Sequence, residues 1–211
     1  MKQIDDFKLY LITDRHQTGG RSLFEVVRSA LAGGVRAVQL REKDLSPGEL
    51  YSLATEMRRL TLDFDARLII NDHPDIAIAV GADGVHVGVK SLPVAIVRSI
   101  IGQDRFIGYS AHNIDEALRA EADGADFVTF SPVHYTPSKA LYGLPCGIKK
   151  LEAAVKLVKV PVIALGGISL ENITETLSAG IDGVALISAV LNSPDPFAVS
   201  QSLIKKIEEY A

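Results

Sequence analysis

Ala32-Gly33-Gly34-Val35-Arg36-Ala37-Val38 returns three times further along the chain. The copies are Val80-Gly81-Ala82-Asp83-Gly84-Val85-His86, Asp123-Gly124-Ala125-Asp126-Phe127-Val128 and Ala179-Gly180-Ile181-Asp182-Gly183-Val184. Each copy follows an amphipathic stretch and leads into a short apolar, β-branched run. A glycine at a helix end takes the left-handed conformation without Cβ strain, and such an apolar run suits a parallel strand buried on both faces. A helix stop followed by a buried strand, repeated along a chain, is a βα repeat.

Working outward from these copies, eight strands are expected: Leu9 to Thr13, Ala37 to Leu40, Arg67 to Asn71, Gly84 to Val87, Phe106 to Ser110, Phe127 to Phe130, Val162 to Leu165 and Gly183 to Ile187. Amphipathic stretches lie between them, among them Ser22 to Leu31, Pro47 to Leu60, Ile114 to Ala122 and Leu170 to Ser178. Pro47 and Pro93 open helices where a missing N–H costs nothing. Asn113, followed by Asp115 and Glu116, reads as an N-cap with acids in the first turn. Eight strands and eight helices in 211 residues leave only short connections. That predicts an α/β fold, a single (β/α)8 TIM barrel occupying residues 1–211 as one domain, in preference to an open sheet. The one long connection is Ser131 to Gly147, a candidate functional loop.

Composition narrows the function. A net charge of −4 without a basic stripe argues against nucleic acid, while leaving anionic small molecules open. The single cysteine, Cys146, excludes an intrachain disulfide and points to a reducing cytoplasm. The acidic start of the chain does not resemble a signal peptide, and no apolar run approaches the ~20 residues of a membrane span. No membrane partner is expected, and whether the chain forms a homo-oligomer stays open. No Cys/His set has zinc spacing and no nucleophile elbow occurs.

Such barrels carry their chemistry at the C-terminal strand ends, and the residues there are informative. Gln39, Arg41 and Lys43 alternate, so all three are expected to face the barrel mouth. They read either as a solvated charge run or as a phosphate or diphosphate site, since an amide, a guanidinium fork and an ammonium suit such an anion. Asn71-Asp72 reads either as a cap for the next helix or as a substrate contact (Asn71) beside a Mg²⁺ ligand (Asp72). Gly166-Gly167 after strand seven and Ile187-Ser188 after strand eight suit a phosphate. His112 reads either as a helix-start residue or as an acid/base. His86 reads as a packed residue, and His16, His73 and His134 have no evident context.

Taken together, Leu9-Tyr10-Leu11-Ile12-Thr13-Asp14, Gln39-Leu40-Arg41-Glu42-Lys43, Ile70-Asn71-Asp72, Gly81-Ala82-Asp83-Gly84-Val85-His86, Ser110-Ala111-His112, Thr136-Pro137-Ser138-Lys139 and Gly166-Gly167-Ile168 resemble the family of thiamin-phosphate synthase and thiazole tautomerase over essentially the whole chain. The resemblance implies coupling of hydroxymethylpyrimidine diphosphate to a thiazole phosphate, with release of diphosphate. It implies that Gln39, Arg41, Lys43, Asn71 and Lys139 hold the pyrimidine substrate and its diphosphate, with Lys139 acting in catalysis. Ser110 would contact the pyrimidine. Thr136, Ser138, Gly167, Ile187 and Ser188 would hold the thiazole phosphate, and Asp72 would bind Mg²⁺. After Val85-His86-Val87-Gly88 the synthases continue Gln-Glu-Asp, and that Asp is their second metal ligand. Here the residues are Val89-Lys90-Ser91, so Ser91 stands at the ligand position and the metal site is weakened by one charge. His73 stands where an Arg is common, and the Thr136 to Gly143 loop looks more like that of the tautomerases. Because the diphosphate cradle is otherwise present, synthase chemistry is favoured. The alternatives are a tautomerase with His112 as proton shuttle and a non-catalytic relative that binds thiamin intermediates.

Overall fold

The structure, a computed structural model, describes residues 4–136 and 145–210. Eight strands form one closed parallel barrel in sequential order. They are β1 (Leu9–Ile12), β2 (Ala37–Leu40), β3 (Arg67–Asn71), β4 (Gly84–Gly88), β5 (Phe106–Ala111), β6 (Phe127–Phe130), β7 (Val162–Leu165) and β8 (Gly183–Leu186). The helices outside it are α1 (Leu23–Ala32), α2 (Pro47–Asp63), α3 (Pro74–Ala79), α4 (Val94–Ile101), α5 (Ile114–Ala122), α6 (Gly147–Leu157), α7 (Ile173–Leu177), α8 (Ser188–Leu191) and α9 (Pro196–Tyr210). The expected barrel is therefore observed, but with nine α-helices among the described residues in place of eight. The extra one is the four-residue α8, which starts as soon as β8 ends. Strand β8 stops at Leu186, so Ile187 is not in the strand but is the residue that enters α8. Strand β1 likewise stops one residue short of Thr13, whose hydroxyl is engaged elsewhere.

The repeat has a sharper meaning in three dimensions than in the sequence. Each copy enters an even-numbered strand, so its period is two βα units. Interior layers of such barrels are filled from alternate strands, which accounts for a packing signature that recurs at every second one. The copy glycines Gly34, Gly81, Gly124 and Gly180 all have positive φ. Three of the four copies carry an Asp just before the strand, and each clasps the preceding strand at two points. The carboxylates of Asp83, Asp126 and Asp182 accept from the N–H groups of Leu68, Ile107 and Val162 at 2.8, 2.7 and 2.8 Å. Their own N–H groups donate to the carbonyls of those same residues at 2.8, 2.8 and 3.0 Å. Arg58 and Arg67 bind the Asp83 carboxylate, and Arg98 binds that of Asp126. These clasps lie at the N-terminal end of the barrel.

Strand alternation sorts the core into two shells. Leu11, Val38, Leu68, Ile70, Val85, Ile107, Val128 and Val184 pack outward under the helices. Phe7, Tyr10, Ala37, Ile69, Phe106, Phe127 and Ile163 fill the interior. Gly108 is required by that filling: a Cβ there would lie 2.4 Å from both His86 Nδ1 and Phe127 Cζ. Aromatic bulk at the lower end leaves the polar inward residues Gln39, Asn71, Ser110 and Thr129 toward the C-terminal mouth.

Candidate active site

Strand β2 ends at Leu40, so only Gln39 of the alternating trio faces inward from a strand. It is buried, and its amide donates to the Tyr10 hydroxyl at 2.9 Å. Burial pushes the Tyr10 hydroxyl far above the usual phenol range, with the Gln39 bond opposing. Arg41 and Lys43 follow on the connection to α2, half-buried and exposed respectively. The expectation that strand alternation carries all three into the mouth is corrected accordingly. Glu42, between the two cations, turns the other way and is buried. Its carboxylate accepts from the Thr13 hydroxyl at 2.6 Å and from the Arg15 N–H and guanidinium at 3.1 and 3.2 Å. Thr13 Oγ1 in turn accepts from the Arg41 N–H at 2.9 Å. Glu42 thus anchors the backbone that presents Arg41 and Lys43. Sequence reading passed over it as part of a charge run.

At the end of β3, neither Asn71 nor Asp72 caps α3: the N-cap position belongs to His73 and makes no side-chain cap bond. Asp72 adopts φ 61°, a left-handed conformation rare for a residue with a side chain. Its Oδ2 accepts from the Asn71 amide at 2.8 Å, and its Oδ1 accepts from the Ser91 hydroxyl. The Gly88 N–H donates to Ser91 Oγ at 2.7 Å, which closes the β4 loop down onto Asp72. Glu42, Lys43, Leu50, Asn71, Asp72 and His73 line a cavity of about 160 Å³. Partial desolvation lowers the pKa of Lys43; Arg41 and Lys90 lower it further, and Asp72 opposes. Lys43 and Asp72 line that cavity together, and Arg41 and Lys90 lie close enough to Lys43 to act on its charge.

Ser110 stands opposite Gly88 across β4 and β5. His86 Nε2 lies 3.0 Å from the Ser110 hydroxyl and 3.4 Å from that of Thr129. His86 was read as a packed residue; it also fixes the hydroxyl of a mouth residue. The signal was available, since an imidazole alternates inward between Gly84 and Gly88. His112 lies just past β5 and is exposed. Its Nδ1 sits 2.9 Å from the Ser131 carbonyl. A carbonyl can only accept, so Nδ1 is the donor in this contact.

On the far side, Gly166 and Gly167 have φ 104° and 66°. A Cβ on Gly167 would lie 2.5 Å from the Tyr135 carbonyl, and one on Gly166 would lie 2.8 Å from Pro132. The pair therefore admits the backbone that follows β6, a packing requirement distinct from any ligand. Thr136 is half-buried on that same segment and Ser188 is exposed at the start of α8. Ser138 and Lys139 lie outside the described residues.

Within the described residues no group of three or more His, Cys, Asp and Glu side chains could hold a metal, and no helix is long and apolar enough to cross a membrane. A barrel whose mouth joins loop cations, the Asp72 carboxylate and a serine-bearing strand end is suited to a phosphorylated substrate. A family model described as "Thiamine monophosphate synthase" matches residues 9–190. The chain belongs to that family. A Geobacter sulfurreducens protein named "Putative thiamine-phosphate synthase" is 58% identical over 94% of this chain and 93% of its own length. The thiamine-phosphate synthase of Clostridium novyi is 42% identical over 94% and 97%. Among solved structures, thiamine phosphate pyrophosphorylase from Pyrococcus furiosus superposes with a TM-score of 0.89 at 38% identity, covering 98% of each chain.

Proposed function

We propose that this barrel joins hydroxymethylpyrimidine diphosphate to a thiazole phosphate, giving thiamine phosphate and diphosphate. The observation that carries the reading is Lys43 beside Asn71 and Asp72 around one cavity, with Arg41 acting on the Lys43 charge. The C–O bond between the pyrimidine methylene and the diphosphate breaks, and its electron pair leaves with the diphosphate. The thiazole nitrogen then donates its lone pair to that carbon and forms the C–N bond. Arg41 and Lys43 stabilise the negative charge growing on the leaving group, to which Lys139 adds a third cation. Gln39, its amide tethered to Tyr10, and Asn71 hold the pyrimidine substrate, and Ser110, its hydroxyl fixed by His86, contacts the ring. Orientation of the two rings supplies much of the rate, because the nucleophile is held beside the carbon it attacks. Thr136, Ser138, Gly167, Ile187 and Ser188 hold the thiazole phosphate between the last βα loops.

The donor set at Asp72 suits Mg²⁺. The ion commonly takes one or two carboxylates and completes its shell with water and substrate phosphate. Asp72 supplies one carboxylate; each of its oxygens accepts a single hydrogen bond and retains a lone pair. The residues fit a site completed by diphosphate, with Asp72 as the anionic ligand and Ser91 as a neutral neighbour. When bound, the ion would add positive charge beside the diphosphate oxygens. A cytoplasmic location belongs to the same reading and rests on the single cysteine.

Incubating the protein with both substrates, with and without Mg²⁺, and following thiamine phosphate by chromatography tests the proposal. Coupling is expected. Isomerisation of a carboxythiazole phosphate without coupling would instead assign the tautomerase chemistry, with His112 Nε2 as the base. Binding of thiazole phosphate without either turnover would leave a non-catalytic relative.

A further inference from the structure

The turn after β4 is built around Asp72. The Ser91 N–H donates to the Gly88 carbonyl at 2.9 Å, and the Gly88 N–H returns to Ser91 Oγ at 2.7 Å. Ser91 Oγ then donates to Asp72 Oδ1. Val89 and Lys90 form the tip of this pinned turn, and both are exposed. Four of the described arginines, Arg15, Arg58, Arg67 and Arg98, each close an ion pair with a carboxylate. Among the described residues, Arg41, Lys43 and Lys90 close none. Lys43 lines the cavity with Glu42, which is committed to Thr13 and Arg15, and with Asp72, which is held by neutral donors, and Lys90 adjoins Ser91, whose hydroxyl holds Asp72. Arg41 and Lys90 repel Lys43 until an anion arrives.

We propose that Lys90 is a further diphosphate-binding residue: from the turn pinned by Ser91 to Asp72, its ammonium takes the anionic leaving group directly, so that pyrophosphate binds this mouth even without a divalent cation. The proposal rests on the reading of this rim as the diphosphate site. Electrostatic repulsion between Lys90 and Lys43 supports it, because their charges are close enough to lower the Lys43 pKa.

The test is calorimetric titration of inorganic pyrophosphate into the full chain, in buffer stripped of divalent cations and again with Mg²⁺. The wild-type protein is expected to bind in both. Lys90→Ala should weaken binding in stripped buffer roughly tenfold, and Lys90→Arg should retain most of it. Lys90 is exposed at a turn tip, so an unchanged melting temperature will show that the variants are folded. Ser91→Asp should do the opposite of an added cation, weakening metal-free binding and strengthening binding with Mg²⁺. Equal affinities of Lys90→Ala and wild type in stripped buffer would overturn the proposal while leaving the site intact. Wild-type binding only with Mg²⁺ would overturn it as well. No pyrophosphate binding by the wild type in either buffer would instead remove the diphosphate site itself.

Discussion

Asp83 and Asp72, at opposite ends of the barrel, are used in opposite ways. At the N-terminal end Asp83 accepts from a backbone N–H at 2.8 Å and meets Arg58 at 2.7 Å and Arg67 at 3.3 Å. At the C-terminal end Asp72 receives an amide and a hydroxyl, and among the described residues neither Lys43 nor Lys90 closes a pair with it. Charge at the lower end is spent within the chain and contributes to stability. Charge beside Asp72 at the upper end is kept available for a ligand, while Arg15 at that end is committed to Glu42 and Asp44. The same division separates Arg98, committed to Asp126 at 2.5 Å, from Arg41, which stands on the rim.

The largest effect that would break this comparison is at Asp83. Asp83→Ala removes a carboxylate that serves one N–H and two arginines, and should cost about 2–3 kcal/mol, below the range for fully buried pairs because Arg67 is half-exposed. Denaturant titration should register that loss, while coupling per folded molecule stays at the wild-type level. A fall in specific activity without a loss of stability would erase the distinction between the ends. Next in size is the mirror experiment. Lys43→Ala should slow coupling by about ten- to a hundredfold, from the ~1.5–3 kcal/mol of a charge-assisted contact. Its melting temperature should be unchanged.

Asp182→Ala sharpens the comparison within the lower end. Asp182 is exposed and accepts from the Val162 N–H at 2.8 Å, with no arginine on its carboxylate among the described residues. Its loss should cost about 1 kcal/mol, clearly less than that of Asp83. The smallest effect is a pH dependence. Lys43 titrates below the ordinary lysine value, first through desolvation, then through Arg41 and Lys90, with Asp72 opposing. Anion binding needs the ammonium form. Pyrophosphate affinity should therefore hold at neutral pH and decline as pH rises through that lowered pKa, earlier than an ordinary lysine near ~10.4 would cause. Calorimetry across that range should find the decline absent in Lys43→Ala.

Much of the fold was legible in the chain because its determinants are local. A positive-φ glycine, a capping Asn113 that accepts from the Glu116 N–H at 2.9 Å and a buried β-branched run each act within a few residues. Their recurrence counts strands before any packing is known. The mouth residues were legible for the same reason, as polar side chains in the first positions after apolar runs. The roles of Glu42, His86 and Tyr10 depended on partners far along the chain: Thr13 for Glu42, Ser110 for His86 and Gln39 for Tyr10. Gly166-Gly167 illustrates the limit from the other side. The pair reads as a phosphate loop, yet the atoms a Cβ would meet belong to Pro132 and to the residues after it. Sequence by itself determined the eight strands, their order of use and the chemical character of the strand ends, because periodicity and turn chemistry are short-range. Only closure of the barrel decided which charges meet partners and which are left open, because that depends on the stagger of strands distant in the chain.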